Sequence, residues 1–265
     1  MTGHPCWDHE VDVVCTDAGI AGLAGAISAV DEGAEVLVAC APAARAAVAE
    51  GSHPGWFTHD NVDSETAAYL AELAGDLDVA ALPQLDDDLP IRSAPQTIVP
   101  RGRRSPPFVG SQLRDWAARC IPSPSGYLYT RVTDWTIATM ESADGEAIVV
   151  TEIGSLNTGP DDIVGSALEW LNAEAHLRGV DIDPVLGLER LVFEDGEVTG
   201  AVFTTAEGPL AIRSRHGVLV CRAGSPACRV PRLPVGESVL RVALVGKAAS
   251  RFGRVELLTQ EPVAD

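Results

Sequence analysis

The chain has 265 residues, of which 46% are hydrophobic, 22% charged and 5% aromatic; this balance fits one large or two small globular α/β domains and excludes disordered and fibrous classes. Lys and Arg number 19 against 38 Asp and Glu, a formal net charge of −19, so the summed field repels polyanions and anionic lipid, and nucleic acid is not expected as a partner. The 6 cysteines form no Cys-x-x-Cys pair, the start of the chain has no basic and apolar leader pattern, and no apolar run reaches the roughly 18 residues of a membrane span, so reduced thiols, no membrane span and a cytoplasmic location are expected.

In chain order, His4, Cys6 and His9 bring nitrogen and sulfur ligands close together, but a chance cluster near a terminus is the expected reading. Residues 11–15 form a continuous apolar run, followed by a glycine-bearing turn, a small-residue helical stretch over 21–30 ended by Gly33, and a second apolar run at 35–39. A helix between two such runs predicts a right-handed parallel βαβ unit, and with it an α/β fold. Residues 41–160 are less regular, with Pro-rich stretches at 83–107 and 122–124 and short helices predicted to be capped by Ser64 and Ser111. Asp86, Asp87 and Asp88 read as a solvated loop, and Arg101, Arg103 and Arg104 as partners for nearby acidic side chains.

Regularity returns at Asp161, placed to cap a helix that runs to Arg178 and closes at Gly179, with Val164, Ala167, Leu168, Leu171 and Ala175 on one face. Runs at 188–193, 198–205 and 210–213, separated by turns at Asp195-Gly196 and Gly208-Pro209, predict a three-stranded antiparallel meander. Residues 217–221 then read as a separate buried parallel strand. Lys247, the sole lysine, lacks the following hydroxyl, and Arg241 stands where a P-loop needs its first glycine, so no phosphate loop is expected there. Neither a Gly-x-Ser-x-Gly elbow nor a His-Glu-x-x-His helix occurs, and hydrolase classes receive no support.

The chemistry concentrates in the first turn. Residues 13–24 have the strand–turn–helix form of a dinucleotide fingerprint, with Gly19 and Gly22 at its second and third glycine positions and Asp17 at the first. A carboxylate there sets a negative charge beside the place a diphosphate takes; at about 4 Å and an effective dielectric near 20 the repulsion is about 4 kcal/mol per charge pair, roughly three decades of affinity. The second strand ends in Cys40, where the fingerprint carries Asp or Glu for the ribose hydroxyls. Two readings stand side by side: a scaffold that keeps its packing glycine without its ligand, and a dinucleotide site with altered contacts. Cys40 and Cys221 are both expected at the carboxyl edge of the parallel sheet, as a thiol-reactive pair or as small buried hydrophobes.

Two separated pieces, 11–40 and 164–224, resemble the FAD-dependent oxidoreductases grouped with fumarate reductase flavoproteins and 3-ketosteroid dehydrogenases. The first resembles that family's opening βαβ; the second its helix from Gly165-Ser166-Ala167-Leu168, its meander through Leu188-Glu189-Arg190-Leu191 and its strand through Cys221-Arg222-Ala223-Gly224. The resemblance implies a Rossmann-like FAD/NAD(P)-binding flavoprotein domain of parallel sheet plus meander, built from 11–40 and 161–225, with an irregular insertion over 41–160 and a C-terminal extension over 226–265. It implies Gly19, Gly22, the backbone at Leu188 and Gly224 as the lining of an adenine-dinucleotide cleft. Departures accompany it: only the last glycine of the family's Ala-Thr-Gly-Gly turn survives at Gly224, and Gly51-Ser52 stands alone for a longer glycine loop. The segment after Gly224 is too short for the family's catalytic half, so no catalytic role passes to Tyr127, Tyr129 or His59. FAD is accordingly expected to be weakly held or lost. The expected function is a non-catalytic or cofactor-impaired interaction or regulatory module with a protein partner or a homo-oligomeric state; the alternative is an FAD-dependent oxidoreductase whose site another subunit completes.

Overall fold

The apolar run at the start of the chain forms β1 (His9–Cys15), whose last three residues are buried on both faces. Helix α1 (Ile20–Asp31) follows and is buried along Ile20 to Ala29, which is why it is built of Ala, Gly, Ile and Leu with no polar stripe. Gly33, at φ 84°, turns the chain into β2 (Val36–Cys40), which pairs with β1 in parallel. The remaining elements are α2 (Ser64–Ala74), β3 (Ile91–Ser93), α3 (Gly110–Cys120), β4 (Gly126–Tyr129), β5 (Ala138–Glu141), β6 (Ala147–Thr158), α4 (Ile163–Leu177), β7 (Asp181–Pro184), β8 (Gly187–Glu194), β9 (Glu197–Thr205), β10 (Gly208–Cys221), β11 (Ser238–Gly246) and β12 (Phe252–Thr259). The computed structural model describes residues 5–41, 62–75, 77, 89–94, 110–131, 138–141, 147–158, 163–221 and 238–259.

All 12 strands among the described residues belong to one mixed sheet in the order β5-β6-β11-β12-β4-β10-β1-β2-β7, with β3 beside β12 and β8 beside β9 off this path. The protein is therefore mixed α/β. The region read as an irregular insertion contributes β3, β4, β5 and β6 to that sheet, and the C-terminal extension contributes β11 and β12 between β6 and β4. Strand alternation divides the core. Val13, Cys15, Val36 and Val38 face α1 and α4, whereas Val14, Leu37 and Ala39 pack with Leu70 of α2 and Trp116 of α3.

At the centre lies β10, and it corrects the reading of 210–213 and 217–221 as two strands. Its first half pairs antiparallel with β9, its last residues pair antiparallel with β4, and β1 runs parallel along the other side of both. The register passes from Val11↔Ser214 to Val13↔Gly217, so β10 holds one extra residue in a bulge. The polar Ser214-Arg215-His216 stretch that resembles a loop is this bulge. Ser214 Oγ accepts the Gly217 N–H at 2.8 Å, and Arg215 Nε donates to Asp12 at 2.7 Å.

Helix ends differ in detail from expectation. Asp63, not Ser64, caps α2, its carboxylate accepting the Thr66 N–H at 2.9 Å; Asp63 has the extended backbone of a cap, φ −66° and ψ 164°, whereas Ser64 is already the first helical residue. Buried Thr66 in turn accepts the Leu191 N–H at 2.8 Å and ties α2 to β8. Gly179, at φ 67°, follows α4, while Asp161 lies outside the described residues.

A second polar feature lies on the α3 side. Glu256 of β12 is fully buried and accepts from Arg92 Nε at 2.5 Å and Nη2 at 3.0 Å, and from Arg254 Nε at 2.8 Å. Burial alone would raise its carboxyl; the hydrogen bonds and charges of Arg92 and Arg254 outweigh that and hold it below the ordinary carboxylate value. The Trp116 indole donates to the Phe252 carbonyl at 2.9 Å, with the guanidinium groups of Arg119 and Arg254 over its ring at 5.1 and 5.5 Å.

Candidate functional site at the start of helix α1

The carboxyl ends of β10, β1 and β2 lie side by side, and the turn between β1 and α1 crosses this edge, the usual ligand position in open α/β sheets. Backbone and hydroxyl bonds pin the turn to β10: Thr16 N–H donates to the Leu219 carbonyl at 3.0 Å, and Thr16 Oγ1 accepts the Cys221 N–H at 3.0 Å. Gly19 is the residue before the first helical turn, extended at φ −76°, ψ −174°, and brings no side chain with which to cap α1. Asp17 supplies it. Its Oδ2 accepts the Gly19 N–H at 2.8 Å, so a donor that a phosphate would otherwise meet is bonded to the chain's own carboxylate.

Packing around this turn is tight. A Cβ on Gly22 would lie 1.8 Å from the Asp17 carbonyl oxygen, a backbone clash that only glycine avoids. At Gly19 an added Cβ would meet Asp17 Oδ2 at 2.7 Å, the end of a side chain that can rotate. Asp17 itself is 9% exposed, and burial pushes its carboxyl up to about 6 against the opposing pull of the Gly19 and Ala18 N–H groups. Behind it, burial raises the Cys221 thiol, and the neighbouring Cys15 and Asp17 raise it further. Burial also pushes the Cys15 thiol to about 12.

These environments decide the thiol question. Cys221 is buried and protonated, and Cys40 closes β2 in a half-buried position. The two strands are separated by β1, so the cysteines stand about 10 Å apart across the sheet, beyond the reach of a disulfide. The reading as small hydrophobes, at least for Cys221, is the one the geometry supports. Among the described residues no group of three or more His, Cys, Asp or Glu is placed to hold a metal ion, and none of their helices is long and apolar enough to cross a membrane. His4, His59, Gly51-Ser52, the triple aspartate at 86–88 and Arg101, Arg103 and Arg104 lie outside the described residues.

Of the positions implied for a dinucleotide cleft, the structure brings Gly19 and Gly22 together at the start of α1. Leu188, on β8, is buried and packs in the core on the opposite face of the sheet from α1. Gly224 lies outside the described residues. Tyr127 and Tyr129 project from β4 toward the α1 face; Tyr129 donates to the His216 carbonyl at 2.9 Å, and Tyr127 lies across Gly253 of β12. Burial raises both hydroxyls well above the ordinary phenol value.

The turn-closing role of Asp17 was missed in the sequence, although its signal was present: Asp two residues before a glycine N–H is the spacing of an Asx-type turn. FAD would need the first N–H groups of α1 for its diphosphate and an acid at the end of β2 for its ribose. Asp17 engages the Gly19 N–H just before those groups and sets its carboxylate beside them, and Cys40 stands at the second place, so the residues present do not fit the group in the manner of the fingerprint.

No family model matches the chain, and no curated protein matches it. Solved structures do show partial likeness. The 3-ketosteroid-Δ4-(5α)-dehydrogenase from Rhodococcus jostii RHA1 is 18% identical, with a TM-score of 0.37 over 83% of this chain and 47% of that one. A flavocytochrome c3 fumarate reductase in its open conformation is 15% identical, with a TM-score of 0.32 over 81% and 34%. The myxobacterial chondrochloren halogenase CndH, described as a variant of FAD-dependent halogenases, is 13% identical, with a TM-score of 0.33 over 95% and 53%. The chain thus spans about half or less of the length of these structures.

Proposed function

We propose that this chain is a flavoprotein-like α/β domain that does not hold a dinucleotide through its glycine turn and works as a protein-interaction module. The observation that carries the reading is the 2.8 Å bond from Gly19 N–H to the Asp17 carboxylate, which places a negative charge where the fingerprint receives a diphosphate. The thiol at Cys40 adds to it by removing the ribose acceptor. The test is the visible absorption spectrum of the purified protein, repeated after incubation with excess FAD and gel filtration. The reading expects a colourless protein in both cases. Retained flavin bands would overturn it.

The second reading, an FAD-dependent oxidoreductase completed by another subunit, draws on the close seat of Gly22 on the turn and the parallel β10-β1-β2 edge, both of which a dinucleotide site requires. That reading expects flavin bands, and no assignment of a catalytic residue accompanies it.

A further inference from the structure

Three of the four exposed large apolar side chains among the described residues fall within one stretch of the chain: Leu177 at the end of α4 (79% exposed), Ile182 on β7 (37%) and Leu186 just beyond it (59%). Strand β7 is the outermost on its side of the sheet, with β2 as its partner and no further strand among the described residues. Val185 N–H donates to the Cys40 carbonyl, so in this parallel ladder the odd-numbered residues bond to β2. The N–H of Ile182 and the carbonyls of Ile182 and Pro184 therefore point outward.

The side chains of this edge sort by face. Ile182 is level with Val38, which faces α1 and α4, while Asp181 and Asp183 are level with Leu37 and Ala39 on the opposite face. Neither aspartate takes part in an ion pair among the described residues. An added strand that fits presents apolar residues on the face of Ile182 and cations on the other, next to the two carboxylates. A second copy does not fit, because edge-to-edge pairing of two β7 strands sets Asp181 and Asp183 against their own equivalents.

We propose that β7 is a docking edge for an extended segment of another protein in which Lys or Arg alternates with apolar residues, added as the next strand of the sheet. The proposal deepens the interaction-module reading and rests on it, but is tested by peptide binding, whereas that reading is tested by the flavin spectrum. The probe is a fluorescein-labelled peptide of alternating Lys and Val, titrated with the full chain and followed by anisotropy, with an alternating Glu and Val peptide for comparison. The basic peptide is expected to bind and the acidic one not. Asp181→Lys with Asp183→Lys is expected to weaken binding about tenfold more than the equal charge change Glu72→Lys with Glu207→Lys at exposed sites elsewhere. Ile182→Lys, a second and separate variant at an exposed side chain, is expected to weaken it as well. Absence of binding, equal losses from the two double variants, or an unchanged affinity in Ile182→Lys would overturn the proposal. So would a concentration-dependent dimer of the chain alone that Ile182→Lys abolishes, since the occupant would then be a second copy.

Discussion

Asp17, at the carboxyl end of β1, and Glu256, within β12, are both buried carboxylates, yet their surroundings move them in opposite directions. Glu256 sits between two guanidinium groups and stays ionised in the core. Asp17 has backbone N–H donors and the Cys221 thiol around it but no cation in an ion pair among the described residues, and burial drives its carboxyl up to about 6. What separates the two is the partner. The Glu256 cluster is a closed structural tie joining β3 to β12, whereas the Asp17 carboxyl, with its value near 6, titrates just below neutral pH at a helix start where anions usually bind.

The comparison breaks most visibly at the closed tie. Glu256→Ala leaves Arg92 and Arg254 without their shared carboxylate in the core and is expected to cost about 3–5 kcal/mol, read as a lower urea midpoint. Gly22→Ala is the next largest, about 1–3 kcal/mol, because the new Cβ meets backbone at 1.8 Å; Gly19→Ala, which meets only a rotatable carboxylate, should cost less than Gly22→Ala in the same assay.

The pH response of Asp17 sharpens the contrast. Its folded value of about 6 lies above the ordinary carboxylate value near 3.9, so its contribution to stability is fully present below about pH 4 and is lost as pH rises through about 6. Glu256 runs the other way: its stability is present above the ordinary glutamate value and is lost as pH falls through its depressed folded value. Stability measured by urea unfolding at about pH 5 and about pH 7.5 should therefore fall by roughly 1–2 kcal/mol more in the wild type than in Asp17→Asn, which keeps the acceptor for Gly19 and lacks the titration. A parallel pH profile in the two proteins would show that the Asp17 carboxyl does not titrate in this range. The smallest effect expected is at an ordinary cap: Asp63→Ala should cost about 1 kcal/mol through loss of the bond to Thr66 N–H, read as a lower urea midpoint.

Much of the sheet around α1 was readable because each feature there is local. The apolar runs of β1 and β2, the small-residue helix between them and the turn at Asp195-Gly196 all declare themselves within a few residues. Strands β11 and β12 did not, and their place near the middle of the sheet was invisible. Arg254 and Glu256 interrupt the apolar pattern of β12, and only their pairing with each other and with Arg92, far away in the chain, makes burial of that strand affordable. For β10 the polar bulge at Ser214-Arg215-His216 concealed a continuous strand, since nothing in the local sequence shows that Asp12 lies opposite to receive Arg215. At the site, the missing first glycine was legible as Asp17. Its bond to Gly19 N–H needed the turn geometry.

The central claim is that the Gly19 N–H, just before α1, is engaged by the chain's own carboxylate. The most direct test is to titrate FAD at neutral pH into the wild type and into Asp17→Gly, following flavin absorption and fluorescence. The account predicts no retained flavin in the wild type and a gain in affinity of up to about three decades in Asp17→Gly, the size of the removed repulsion. Flavin held by the wild type through gel filtration, or identical titrations for the two proteins, would contradict it.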